Sequence, residues 1–283
     1  AGDHIYKMDY GMMIATHLDR QADVTVGCIE VPLDQARHFG LMLIDEEYRV
    51  TGFQEKPQHP LSLPGRDNVA LASMGIYLTD INFMTKILHR DAEDPDSSHD
   101  FGKDILPALY KDHRVIACPF NDMRTGEQAY WRDVGTIDSY WAANLELIGV
   151  TPPLNLYDRN WPIRTYQAQL PPAKFVFNDD NRRGMAVDSM VSGGCVVSGS
   201  TVKHSLLSNS VRVNSYSSIE DSVLLPGVVV GRHCRIMRAV IDTGCRIPKN
   251  TIIGVDPEAD RRRFHVTENG VVLVTQDMLD QTE

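Results

Sequence analysis

Two aspartates, Asp3 and Asp133, each stand where a predicted strand gives way to a turn and a helix. If their strands are neighbours the carboxylates converge, and paired oxygen ligands beside substrate phosphates suit Mg²⁺, which prefers oxygen and keeps several waters. The plainer reading is that each aspartate caps its helix, and spacing alone favours it. Lys56, in Glu55-Lys56-Pro57, closes the second strand of a predicted hairpin. The proline stops the ladder and leaves an ammonium that could hold a phosphate as a point charge, or simply an exposed edge lysine. Ser73-Met74-Gly75 puts a hydroxyl and a bare backbone inside a strand, which marks either close approach of a ligand or a bulge. Asp100-Phe101-Gly102 matches a kinase metal-binding triplet by letters only, since no glycine-rich loop, lysine strand or His-Arg-Asp precedes it. The ten histidines show no metal-ligand spacing, and no glycine-rich phosphate loop occurs.

These residues need elements to hold them. The run Tyr130-Trp131-Arg132-Asp133-Val134-Gly135-Thr136 reads as a strand end, a tight turn and the start of a helix over 137–148, with Thr136 as N-cap and Asp138 in the positive first turn. In open α/β sheets ligands bind at such strand ends. Upstream, residues 3–22 are helical in pattern, with Tyr6, Met13, Ile14 and Leu18 on one face. Strands are predicted over 23–31, 41–45, 48–55, 71–78 and 115–120, and helices over 80–89 and 102–113, the latter with Ile105, Leu106 and Leu109 inward. Residues 91–100 and 121–128 read as polar loops. Alternating strands and helices predict a mostly parallel sheet covered on both faces.

The pattern changes after Val150. Pro152, Pro153, Pro162, Pro171 and Pro172 mark residues 151–174 as a linker, whose aromatics suggest a packed arm. Beyond it a branched aliphatic returns every six residues: Val191 and Val197; Val213, Ile219 and Leu225; Val230 and Ile236; Ile241, Ile247 and Ile253. A six-residue period fits neither helix nor hairpin sheet. It fits a hexapeptide parallel β-helix, in which each hexad forms one side of a triangular prism and the recurring aliphatic points to the axis. The chain beyond Asp256 is expected to cap it, ending in a strand over 271–275.

The 283 residues, 42% hydrophobic, suffice for two domains: 1–150, the linker, and 175–283. A net charge of -10 excludes a non-specific nucleic-acid binder. Five cysteines without a C-x-x-C pair predict free thiols in a reducing cytoplasm. No apolar run reaches membrane-spanning length, and no signal peptide is visible. The chain opens on Ala1 within what reads as a strand under way, and an N-terminal portion is expected to be missing.

Together, Gly2-Asp3-His4-Ile5-Tyr6 and the runs 53–57, 71–77, 97–104, 130–136, 157–165 and 191–194 resemble bacterial glucose-1-phosphate adenylyltransferase, also called ADP-glucose pyrophosphorylase. The resemblance implies an α/β protein: the remainder of a Rossmann-like nucleotidyltransferase domain followed by a left-handed parallel β-helix of hexapeptide repeats. Its crossovers are the known exception to right-handedness. It implies synthesis of ADP-glucose and pyrophosphate from ATP and glucose 1-phosphate, toward glycogen. Asp3 and Asp133 would then hold Mg²⁺, Lys56 the phosphate of glucose 1-phosphate, and Gly40, Glu55 and Ser73 the sugar. It implies a homotetramer and control by allosteric metabolites, without nucleic-acid or membrane partners. The family's glycine-rich nucleotide loop should lie upstream, so this chain alone is expected to be inactive. Thr243 stands where some relatives carry arginine, and residues 275–281 hold no Lys or Arg, although Arg261-Arg262-Arg263 remain, so activation by sugar bisphosphates is expected to be altered or weak. The alternatives are a nucleotidyltransferase using UTP or GTP, a hexapeptide acyltransferase relying on His204 or His233 (neither with an evident partner in sequence), and a non-catalytic regulatory subunit.

Overall fold

The computed structural model describes residues 2–122 and 125–281, so positions 123 and 124 of the predicted loop 121–128 lie outside the described residues. The chain divides into two compact units, one running up to Trp131 and one from Arg132.

The first unit opens with β1 (His4–Tyr6), where a helix was expected. Helix α1 (Tyr10–Asp19) starts only at Asp9, whose carboxylate accepts the Gly11 amide. Of the four residues expected to share a helical face, Met13 is buried while Ile14 and Leu18 are exposed. The main sheet uses β2 (Val24–Pro32), β3 (Gly40–Ile44), β4 (Val50–Glu55), β5 (Val69–Thr79) and β6 (Val115–Pro119), in the order β4-β3-β5-β2-β6. The expected mostly parallel sheet is corrected: only β2 and β6 run parallel, and the other pairings are antiparallel. A parallel step needs a long crossover. Here the β3–β4 connection is a tight turn, held by Asp45 accepting from the amides of Glu47 and Arg49 at 3.0 and 2.9 Å.

Helix α2 (Ile81–Ala92) is capped by Asp80, which accepts from the Asn82 and Phe83 amides. A π-helical turn over Phe101–Ile105 leads into α3 (Leu106–Asp112). Ile105, Leu106 and Leu109 are buried as expected, against Val24, Val26 and Leu71. Cys28 on the same strand face joins this cluster, while Ile29 and Val31 join a second one with Met74 and Trp131. Between Gly27 and Cys28 the register against β5 shifts, leaving Met74 and Gly75 as a bulge with Gly75 at φ 65°.

Strand β7 (Trp131–Asp133) pairs with β1. Helix α4 (Ile137–Glu146) follows, with Thr136 and Ser139 forming a reciprocal capping box. It packs within the second unit: Leu145 is buried with Val223, Val240 and Val271, and Trp141 donates from Nε1 to the carbonyl of Asp221 at 2.8 Å. The linker aromatics do not form a packed arm, since Tyr157 and Tyr166 are 76% and 89% exposed.

The rest is a parallel β-helix of three ladders. One carries Val197, Val213, Val230 and Ile247 inward, another Val202, Ile219, Ile236 and Ile253, the third Leu207, Leu224 and Ile241, all buried. Leu224, not the expected Leu225, takes the axial place, because equivalent residues such as Val213, Val230 and Ile247 recur every 17 positions and one hexad per coil is a residue short. Buried serines close the corners. Ser205 Oγ accepts the Ser222 amide at 3.1 Å, and Ser222 Oγ accepts the Ala239 amide at 3.2 Å, so each hydroxyl takes a coil-to-coil hydrogen bond. Val272–Val274 adds to the last ladder, and His265–Val266 covers its edge antiparallel.

Candidate active site

The β1–β7 pairing sets the first cluster. Asp3 precedes β1 and Asp133 ends β7, and one ligand atom each from Asp3, His4 and Asp133 lie within 4.8 Å of one another. Neither aspartate caps a helix, since Asp9 caps α1 and Thr136 caps α4. The capping reading therefore fails for both aspartates. Asp133 Oδ1 accepts the Gly135 amide at 3.0 Å, an Asx turn that holds the carboxylate at the strand end. His4 Nε2 is 3.7 Å from Asp3 Oδ1, and its ring meets the Trp131 indole edge-on at 4.9 Å. His4 carries no ligand signal in sequence, because alone it has no ligand spacing. The donor set, two carboxylates and an imidazole beside open solvent at Asp3, fits a divalent ion.

The second cluster forms where β3 and β4 meet. Gly40 pairs with Glu55, and a Cβ on Gly40 would lie 2.5 Å from Phe53 Cζ and 3.0 Å from Glu55 Oε2. Only glycine fits. Lys56 turns into the left-handed region at φ 41° and donates its amide to the Phe39 carbonyl at 3.2 Å. Its Nζ is exposed, 3.9 Å from Glu55 Oε1. Ser73 Oγ accepts the Gly75 amide at 3.2 Å, so the bulge that glycine permits aims the serine. Burial pushes the pKa of the Tyr77 phenol up, the Ser73 hydroxyl opposes that rise, and Cys28, Asp100 and Glu55 add smaller upward contributions. Tyr77 stacks on Phe101 at 4.2 Å, and the bare Cα of Gly102 faces Glu55 Oε2, a Cβ there lying 3.3 Å away.

The structure therefore gathers Gly40, Glu55, Lys56 and Ser73, and adds Tyr77, Asp100, Phe101 and Gly102. The triplet set aside as a kinase look-alike was the available signal. Trp131 stands between the clusters, meeting His4 on one side and the Phe39 ring at 5.7 Å on the other, while the Phe39 carbonyl holds Lys56. Chemically the second cluster offers an ammonium, a carboxylate, hydroxyls and bare backbone, and the first offers two carboxylates and an imidazole. No activated thiol competes: Cys28 is fully buried and its pKa is raised by that burial.

In the β-helix, His204 does have a partner, its Nδ1 lying 2.5 Å from Asp221 Oδ1, and His233 stacks on Tyr216 at 4.9 Å. Both histidines occupy left-handed corner positions, φ 43° and 60°, so a turn-forming role accounts for them. In the basic cluster, Arg261 pairs with Glu258, and Arg263 with the buried Asp260 at 3.0 Å.

A nucleotidyl transferase family model matches residues 1–149, and a GlmU-like C-terminal hexapeptide model matches residues 171–274. Similar curated proteins include the glucose-1-phosphate adenylyltransferase of Methylococcus capsulatus (61% identical, over 99% of this chain and 66% of that protein). Those of Nitrosococcus oceani (59%; 99% and 67%) and Shewanella sp. strain ANA-3 (56%; 99% and 67%) are similar too. The chain spans about two thirds of the length of these relatives. With a family model covering its first half, and relatives this close along its whole length, the chain belongs to the glucose-1-phosphate adenylyltransferase family of nucleotidyl transferases.

Proposed function

We propose that the protein carrying this chain joins ATP and glucose 1-phosphate into ADP-glucose and pyrophosphate, supplying the glucosyl donor for glycogen. The carrying observation is the junction at Trp131, which links the Asp3–His4–Asp133 cluster to the Lys56–Glu55 corner through Phe39. In this reading Lys56 holds the phosphate of glucose 1-phosphate, Glu55 and Ser73 take sugar hydroxyls, and Gly40 admits the ring close to the backbone. Asp3 and Asp133 would hold Mg²⁺. When bound, that ion neutralises charge on the phosphates. A phosphate oxygen of glucose 1-phosphate attacks the α-phosphorus of ATP in line, the bond from that phosphorus to the β-phosphate's bridging oxygen breaks, and pyrophosphate leaves. Lys56, Asp3 and Asp133 contribute by positioning and charge, since phosphoryl transfer leaves little covalent work to the protein.

The test uses the protein as its gene encodes it, assayed for pyrophosphate release with ATP, UTP and GTP. Asp133→Asn should lower kcat by on the order of 10²-fold or more, and Lys56→Ala should raise the KM for glucose 1-phosphate roughly 10- to 100-fold, as loss of a charged hydrogen bond implies. Unchanged kinetics in both variants would sink the reading, and a preference for UTP or GTP would move it to the neighbouring nucleotidyltransferases. We further propose a cytoplasmic homotetramer. No described helix is long and apolar enough to cross a membrane, and all five thiols are free and buried, which fits a reducing compartment. Light scattering checks the assembly. Weak activation by sugar bisphosphates is proposed because Thr243 is neutral and Arg261 and Arg263 are already paired. An activation curve checks it.

A further inference from the structure

Residues 93–100, Glu-Asp-Pro-Asp-Ser-Ser-His-Asp, have the composition of a mobile loop. They are nonetheless tied at two points. Asp91, in the last turn of α2, accepts from Ser97 Oγ at 2.7 Å and from His99 Nδ1 at 2.9 Å, and its carboxylate is 14% exposed. Asp104, in the π-helical turn, accepts through one oxygen from the Ser98 amide at 3.1 Å, the Ser98 hydroxyl at 2.6 Å and the Asp100 amide at 3.0 Å. Ser97 Oγ also takes the His99 amide at 3.0 Å, with His99 held at φ 59°. Both carboxyls sit below their ordinary range, Asp91 chiefly through Ser97 and then His99, Asp104 chiefly through the Ser98 hydroxyl. The chain leaves this double tie directly into Asp100, whose Oδ1 accepts the Lys103 amide at 2.8 Å, then into Phe101 under Tyr77 and Gly102 against Glu55.

We propose that Asp91 and Asp104 are positioning residues for the sugar-phosphate site: they clasp residues 97–100 and thereby set Phe101 beneath the Tyr77–Ser73 pair and Gly102 beside Glu55. Neither aspartate touches the sugar. Each acts through the segment it holds, which presents one side of the pocket. The reasoning is geometric. A displacement of Gly102 changes its spacing to the Glu55 carboxylate, and loss of the Phe101 stack removes the ring against which Tyr77 rests. Such a clasp pre-orders the pocket before sugar arrives, so its loss should appear in sugar binding and not in the chemical step. This inference rests on the assignment of the Glu55–Lys56 corner to glucose 1-phosphate.

The test compares Asp91→Asn, Asp104→Asn and the double variant, each nearly isosteric but unable to accept the full set of hydrogen bonds. Ser98→Ala serves in place of Asp104→Asn should that variant not fold. The KM for glucose 1-phosphate should rise about 10-fold in either single variant and further in the double, with kcat and the KM for ATP within about twofold. Amide exchange should quicken over residues 97–102. Glu55→Gln and Lys56→Ala run alongside. If these two leave the sugar KM unchanged, the site assignment fails. If they raise it while the double clasp variant does not, the clasp inference is overturned and the ties serve the loop alone. A fall in kcat and thermal stability at constant sugar KM overturns it equally.

Discussion

A methyl group at position 40 would sit 2.5 Å from the ring of Phe53 and 3.0 Å from the carboxylate of Glu55. Gly40 is not in the left-handed region, so its glycine answers to space and not to backbone conformation. Gly40→Ala should therefore push Phe53 and Glu55 aside, raise the KM for glucose 1-phosphate at least 10-fold, and leave the melting temperature nearly unchanged. A steady-state titration beside a thermal melt checks both halves. Gly40 entered from sequence only through the family resemblance, because nothing local says what faces it. Lys56 was legible as a strand-end cation, but its left-handed backbone and its bond to Phe39 were not.

At the scale of elements, the β-helix corners carry buried polar groups. Ser222 is fully buried, donates to the Glu220 carbonyl at 2.6 Å and accepts from the Ala239 amide at 3.2 Å. Ser222→Ala leaves a buried amide without its acceptor, a cost of about 1–3 kcal/mol. Urea unfolding of the second unit should shift by that amount, while Ser198→Ala, at a half-buried position, should shift it little. The same scale explains the misread start of the chain. Residues 4–6 can follow a helical period, yet they become β1 because β7 offers a ladder and Asp9 starts the helix later. Local periodicity cannot register a partner strand over a hundred residues away.

Across the whole molecule the two units are built on different principles. In the first, long-range pairing decides the sheet. In the second, each coil meets only its neighbours, so stability accumulates coil by coil. Ile236 is fully buried between Ile219 and Ile253 on one ladder. Ile236→Ala should cost about 2–5 kcal/mol through lost transfer energy and a cavity. Amide exchange should show that loss concentrated in the flanking coils. A uniform loss of protection over both units would contradict the nearest-neighbour picture.

The sequence by itself determined the β-helix, because a six-residue return of Val, Ile and Leu is a local pattern that only stacked coils satisfy. It also determined the capped helix after Asp133, since Thr136 and the residues it caps are adjacent in the chain. It fell short on the 17-residue coil, which moved the axial leucine from 225 to 224, and on strand direction in the first unit, where turns and ladders replaced the expected crossovers. The site itself was decided by tertiary structure. From spacing alone, Asp3 and Asp133 favour helix capping over metal ligation. Only the pairing of β1 with β7 brings them within ligand distance of each other and of His4, and only the packing of Phe53 and Glu55 against Gly102 shows that the Asp-Phe-Gly triplet lies beside the Gly40–Glu55 corner.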